Sequence, residues 1–175
     1  MSDAAALRNA IRDVADFPQP GVVFKDITPV LADPALHHTA IDLLAATAHG
    51  MRIDKVVGID ARGFIFAATV ADRLGVGFVP VRKKGKLPWR TRQTSYQLEY
   101  GEAVIEIHED AVRPGETVLL VDDLLATGGT AGAAVKLLEE LGARVAGISF
   151  LIELVFLNGR AKLGAHRVES ILKYE

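Results

Sequence analysis

Apolar positions along the chain change their period between its N-terminal and central parts. Leu7, Ile11 and Val14 recur at helical spacing behind Ser2 and Asp3, two residues able to cap, which predicts an opening amphipathic helix. FPQPGVVFKDITPVL (17–31) is punctuated by Pro18, Pro20, Gly21 and Pro29 and reads as a connection. Val22, Val23 and Phe24 make it more apolar than a connection needs, so they must cover something. Asp33 and Pro34 then serve as cap and first helical residue, with Leu36, Ala40, Leu43, Leu44 and Thr47 on one side and Gly50 as the stop.

From residue 55 the pattern alternates: KVVGI, a helical stretch 64–74 ending at Gly75, GFVPV, then TVLLV, a helix 131–141 ending at Gly142, and RVAGISFLI. Short β-branched runs between helices indicate βαβ units and a sheet buried on both faces. The expected fold is α/β: an open, mainly parallel twisted sheet flanked by helices. SYQLEYGEAVIEIHE (95–109) alternates around Gly101 and predicts an inserted hairpin. No repeat or linker divides the chain, so residues 1–175 are expected to form one domain. Its parts would be an N-terminal helix and hood at 1–34, a core at 55–155, and a flexible loop with hairpin at 83–101.

Composition narrows the function classes. With 175 residues, half of them hydrophobic, one core can be built without staples. The chain contains no cysteine, which removes thiolate catalysis, Cys-based zinc sites and disulfides, and fits a reducing, cytoplasmic setting. A formal charge of -2 gives no global attraction to nucleic acid or membrane. The N-terminus mixes Asp3, Arg8, Arg12 and Asp13 into its apolar spacing, unlike a secretory signal, and no apolar run is long enough to span a bilayer.

Ligands of open α/β sheets bind beyond the carboxyl ends of strands. There the richest segment is VLLVDDLLATGGT (118–130): an apolar strand, the carboxylates Asp122 and Asp123, then Ala126, Thr127, Gly128, Gly129 and Thr130 ahead of a helix. The glycines permit a tight turn, the first helical N–H groups lack internal partners, and the threonine hydroxyls add donors; a phosphate fits there. Two carboxylates at the strand end suit ribose hydroxyls, Mg²⁺ or a developing positive charge. No Gly-Lys-Ser/Thr ends the turn and no G-x-G-x-x-G follows a strand, which withdraws support from ATP hydrolysis and dinucleotide binding.

This segment resembles the phosphoribosyl pyrophosphate signature of type I phosphoribosyltransferases. The resemblance implies that residues 126–130 hold the 5-phosphate while Asp122 and Asp123 face the ribose hydroxyls. FPQPGVVFKDITPVLADP (17–34), GIDARGFIFA (58–67) and RKKGKLP followed by SYQLEYG (82–101) are similar to the adenine phosphoribosyltransferase branch, and together the likeness covers almost the whole chain. It implies that adenine packs between Phe24 and Leu124, with backbone groups near Val23 and Lys25 reading its edge. Read alone, Phe24 is an ordinary core aromatic.

The resemblance also makes Glu99 the group that manages the proton adenine loses, with Tyr100 helping to order the loop. Without it, Glu99 belongs to the solvated face of a strand. Arg62, at a strand end, can grip pyrophosphate with two hydrogen bonds. The branch implies this role, together with a backbone contact at Ala61, where a peptide that is sometimes cis joins Asp60. Arg82, Lys83, Lys84, Lys86, Arg90 and Arg92 crowd six cations into eleven residues. A solvated loop and a nucleic-acid patch both fit them; the resemblance favours Lys83 and Lys86 as pyrophosphate ligands and 87–95 as a lid, with Arg90 and Arg92 unassigned. The histidines share no ligand spacing, so no protein metal site is expected and Mg²⁺ would be held mainly by substrate.

The implied reaction joins adenine to phosphoribosyl pyrophosphate, giving AMP and diphosphate, in a homodimer that binds neither nucleic acid nor membrane. The rivals are the same chemistry on another purine and a non-catalytic phosphoribosyl pyrophosphate sensor.

Overall fold

The computed structural model describes residues 3–97 and 101–175. The chain divides into two compact units, Met1–Leu43 and Leu44–Glu175.

In the N-terminal unit, α1 (Asp3–Ala10) buries Leu7 and stops four residues before Val14. Val14 instead lies on β1 (Arg12–Ala15), antiparallel to β2 (Val23–Asp26) and directly opposite Phe24. The expected helix is therefore shorter, and the expected connection 17–31 contains a strand and α2 (Thr28–Ala32). The two strands pair over four residues, and cross-strand ion pairs flank the ribbon: Lys25 meets Asp13 at 2.7 Å and Arg12 meets Asp26 at 3.1 Å. Such pairs support a ribbon that local apolar spacing cannot reveal. The turn between the strands uses Gly21 at φ +86°, whose N–H donates to Asp16 Oδ1 at 2.8 Å. Asp33 caps α3 (Pro34–Ala46) as expected, accepting from the N–H groups of Ala35 and Leu36 at 2.9 and 3.0 Å. The boundary between the units falls within α3.

The second unit runs β3 (Lys55–Ile59), α4 (Arg62–Leu74), β4 (Gly77–Lys83), β5 (Thr91–Gln97), β6 (Glu102–His108), β7 (Thr117–Leu125), α5 (Gly129–Glu140), β8 (Arg144–Leu154) and β9 (Val168–Tyr174). Its sheet has the order β5-β6-β4-β3-β7-β8-β9; β4, β3, β7, β8 and β9 are parallel and the β5–β6 hairpin is antiparallel at one edge. The mainly parallel sheet and the hairpin match the sequence reading. β9, beyond the expected core limit of 155, does not figure in it. Residues 91–95, expected in a lid, are instead hydrogen-bonded to β6, which leaves 84–90 as the connection. Arg92 lies 3.7 Å from Glu109 and Arg90 stacks over Trp89, so both belong to the base of this hairpin.

Helices cover both faces of the sheet. A Cβ on Gly58 would collide with Ala67 of α4, so the close approach there requires glycine, while its neighbours Val57 and Ile59 join the buried cluster with Ala134, Val135 and Leu138 of α5. Adjacent parallel strands β3 and β7, with Gly58 opposite Val121, then release their following loops side by side at one edge of the sheet. This arrangement creates the crevice in which the candidate chemistry collects.

Candidate active site

The crevice is a cleft of about 300 Å³ lined by residues 59–62 from the β3–α4 junction and 122–131 from β7, its loop and the start of α5. It brings together Ala61, Arg62, Asp122, Asp123, Leu124 and the whole of 126–130, as the sequence reading requires.

Gly128 takes φ +76° as the residue preceding α5, a left-handed conformation that glycine adopts without penalty. A Cβ there would strike the carbonyl oxygen of Gly159, and one on Gly159 would strike that of Ala126. The phosphate-type loop is thus backed, backbone against backbone, by the 3₁₀ turn Gly159–Leu163. Opposite the loop's exit, Thr130 Oγ1 donates to the Tyr96 hydroxyl at 3.1 Å, and a Cβ on Gly129 would touch Tyr96 and the Gln97 carbonyl. The end of β5 therefore lies beside the loop. Glu99 and Tyr100 lie outside the described residues.

The 3₁₀ turn is itself anchored. Arg160 donates to Glu153 at 2.6 and 2.7 Å, to the Val168 carbonyl at 2.7 Å and to Ser170 Oγ at 3.2 Å. The Arg160 hydrogen bond, opposed by burial, holds the Glu153 carboxyl below its ordinary range. Sequence reasoning missed Gly159, Arg160 and Tyr96, because their partners are 31, 7 and 34 positions away and no local motif signals them.

The paired carboxylates are in a different condition. Asp122 packs against Gly63 at the start of α4 and accepts from the Asp123 backbone N–H at 2.9 Å, while Asp123 Oδ2 lies 2.7 Å from Arg62 Nε. Burial first, then the charge of Asp123, push the Asp122 carboxyl well up. Burial also raises Asp123, against the pull of Arg62. Two carboxylates held where ionisation is unfavourable suit a cationic or hydroxyl-rich ligand.

Asp60 and Ala61 are joined by a cis peptide. Asp60 Oδ2 accepts from Arg82 Nε at 3.1 Å, and the same guanidinium donates to the Lys86 carbonyl at 3.0 Å. Lys83 and Lys86 do not line the cleft: Lys83 stands exposed at the end of β4 and Lys86 on the turn that follows, its carbonyl tied through Arg82 to Asp60 of the cleft wall. Val23, Phe24 and Lys25 lie on β2 of the N-terminal unit, where Phe24 meets Phe17 edge to face at 5.2 Å between centroids. Among the described residues no cluster of three His, Asp or Glu side chains could hold a metal. Asp122 and Asp123, at the strand end, offer oxygen donors of the kind a Mg²⁺ ion takes.

A phosphate-shaped loop at a helix N-terminus, two carboxylates and a facing arginine, all at the carboxyl edge of this sheet, define a phosphoribosyltransferase of type I. The family model for the phosphoribosyl transferase domain matches residues 31–167. The adenine phosphoribosyltransferase of Acidothermus cellulolyticus is 60% identical over 163 residues, covering 93% of this chain and 92% of that one. The crystal structure of the Thermoanaerobacter pseudethanolicus adenine phosphoribosyltransferase superposes with a TM-score of 0.96 at 50% identity, covering 98% and 99% of the two chains. That of Saccharomyces cerevisiae, complexed with an imino-altritol bisphosphate and adenine, superposes at 0.92 with 41% identity, covering 97% and 98%. The chain belongs to the adenine phosphoribosyltransferase family.

Proposed function

We propose that this protein transfers the phosphoribosyl group of phosphoribosyl pyrophosphate to adenine, releasing AMP and diphosphate, as a step of purine salvage. The observation that carries the reading is the single cleft in which the 126–130 loop, Asp122, Asp123 and Arg62 converge. The relatives matched over nearly the full chain are adenine enzymes, which favours adenine over another purine and catalysis over a sensor.

The 5-phosphate rests on the N–H groups of residues 128–131 and on the Thr127 and Thr130 hydroxyls. The ribose hydroxyls face Asp122 and Asp123. As the bond from the anomeric carbon to pyrophosphate breaks, positive charge develops on the sugar, and the two carboxylates, costly in the buried site, stabilise it. Arg62, the Ala61 N–H, Lys83 and Lys86 take the charge of the departing pyrophosphate. Adenine, oriented by Phe24, Leu124 and backbone groups at Val23 and Lys25, forms the new bond through its ring nitrogen, and its imidazole proton passes to Glu99. Mg²⁺, held by substrate oxygens near Asp122 and Asp123, supplies charge neutralisation when bound. The protein acts as a homodimer in the cytoplasm, a setting that suits a chain without cysteine.

The test is AMP formation from adenine and phosphoribosyl pyrophosphate, with and without Mg²⁺, in wild type and Glu99→Ala. Metal-dependent turnover that falls at least 100-fold in the variant, on the order expected for a lost proton acceptor, supports both substrate and proton role. Turnover that survives the substitution removes Glu99 from the chemistry; no turnover with any purine overturns the reading.

A further inference from the structure

Among the described residues two buried carboxylates take no part in the reaction: Glu153, which anchors the 3₁₀ turn through Arg160, and Glu106. Glu106 of β6 is only 2% exposed, and it sits opposite Arg82 of β4 and Gln93 of β5 in the three-stranded edge of the sheet. Its Oε1 accepts from the backbone N–H groups of Lys86 and Leu87, each at 2.9 Å. Its Oε2 accepts from Gln93 Nε2 at 3.2 Å and Thr91 Oγ1 at 3.4 Å. The turn it addresses contains Gly85 at φ +80°, the alternation of handedness that points successive N–H groups at one anion. Burial would raise this carboxyl, yet the backbone N–H groups of Leu87, Gly85 and Lys86 outweigh it and keep the acid low. The opposite side of the Lys86 backbone is held as well, since its carbonyl accepts from Arg82, which also binds Asp60 at the wall of the cleft. Among the described residues neither Lys86, on this turn, nor Lys83, the last residue of β4, forms an ion pair, and the backbone that carries Lys86 is held on both sides.

We propose that Glu106 is a positioning residue for the leaving-group end of the site: it fixes the turn 84–87 so that Lys86 is presented to pyrophosphate. This rests on the reading of Lys83 and Lys86 as pyrophosphate ligands. A carboxylate suits the task because every group facing it is a donor, whereas glutamine would aim its own NH₂ at one of them.

Titration calorimetry in Mg²⁺ buffer, with phosphoribosyl pyrophosphate, pyrophosphate and AMP as probes, tests it on wild type, Glu106→Gln, Lys86→Ala and the double variant. AMP lacks pyrophosphate and is the internal control. We expect Glu106→Gln to weaken the two pyrophosphate-bearing probes about 10-fold while AMP changes less than about twofold, the size of one hydrogen-bonding defect. The double variant should bind them no more weakly than Lys86→Ala alone, because two residues acting through one contact are not additive. Equal weakening of all three probes, or no weakening while Lys86→Ala does weaken them, overturns the positioning role. If Lys86→Ala itself has no effect, the ligand reading fails and the inference falls with it. Should Glu106→Gln not fold, Gly85→Ala distorts the same turn from an open surface position and must give the same selective loss.

Discussion

Four carboxylates of the described residues fall into two sets with opposite electrostatic surroundings. Glu153 and Glu106 are met by donors on every side, and both are held below the ordinary carboxyl range: the first by Arg160, the second by backbone N–H groups that overcome its burial. Asp122 and Asp123 are raised, chiefly by burial and, for Asp122, next by the neighbouring charge. The two low carboxylates hold turns of the scaffold behind the loops; the two raised ones line the cleft, where the proposed reaction develops charge on the sugar. The contrast places the cost of ionisation at the point where a sugar cation would offset it.

The largest test of that contrast is functional. Asp123→Asn should lower kcat about 100-fold or more, a loss of roughly 3 kcal/mol of transition-state stabilisation, measured by steady-state AMP formation. Arg160→Met, which strands Glu153 in the interior, should cost about 3 kcal/mol in urea unfolding and leave a fold that is weaker mainly around the 126–130 loop. Gly159→Ala forces a Cβ into the Ala126 carbonyl and should cost roughly 1–3 kcal/mol by overpacking, with the KM for phosphoribosyl pyrophosphate rising more than that for adenine.

Asp122→Asn should stabilise the protein by about 1 kcal/mol at neutral pH while lowering activity. Its sign follows from linkage. The folded state keeps the Asp122 proton to higher pH than the unfolded state, so stability is greatest below the ordinary carboxyl value and declines as pH rises through the elevated one. The variant lacks this decline, and its advantage in thermal midpoint should grow from about pH 4 upward, where unfolded carboxyls begin to ionise. An advantage that shrinks with rising pH would contradict the assignment. Breaking the exposed end of the N-terminal ribbon with Asp13→Ala should matter least, by less than about 1 kcal/mol, since a surface ion pair contributes little.

Much of this was legible in one dimension. The β3–α4 and β7–α5 junctions carry their own punctuation: apolar β-branched runs, then Asp60–Arg62 or the Asp122–Thr130 segment, then helix. Local backbone chemistry at Gly128 and Asp33 is enough to place a turn and a cap. Val14 misled because helical spacing is a local signal, whereas β1 is made by backbone pairing with β2 across the turn. Thr91–Ser95, polar and basic, read as lid because its strand character comes from pairing with β6 and from Glu106 on the partner strand.

The sequence by itself determined the alternation of elements, the phosphate-shaped loop and the residues facing it, because glycine conformations, helix N-termini and strand periodicity act over a few neighbouring residues. Only the tertiary structure decided which carboxylates are held low and which are raised. That depends on Arg160 reaching Glu153, on the turn after β4 folding back onto Glu106, and on Gly159 pressing against Ala126. These are contacts between segments distant in sequence, whose energies exist only once the sheet has brought them together.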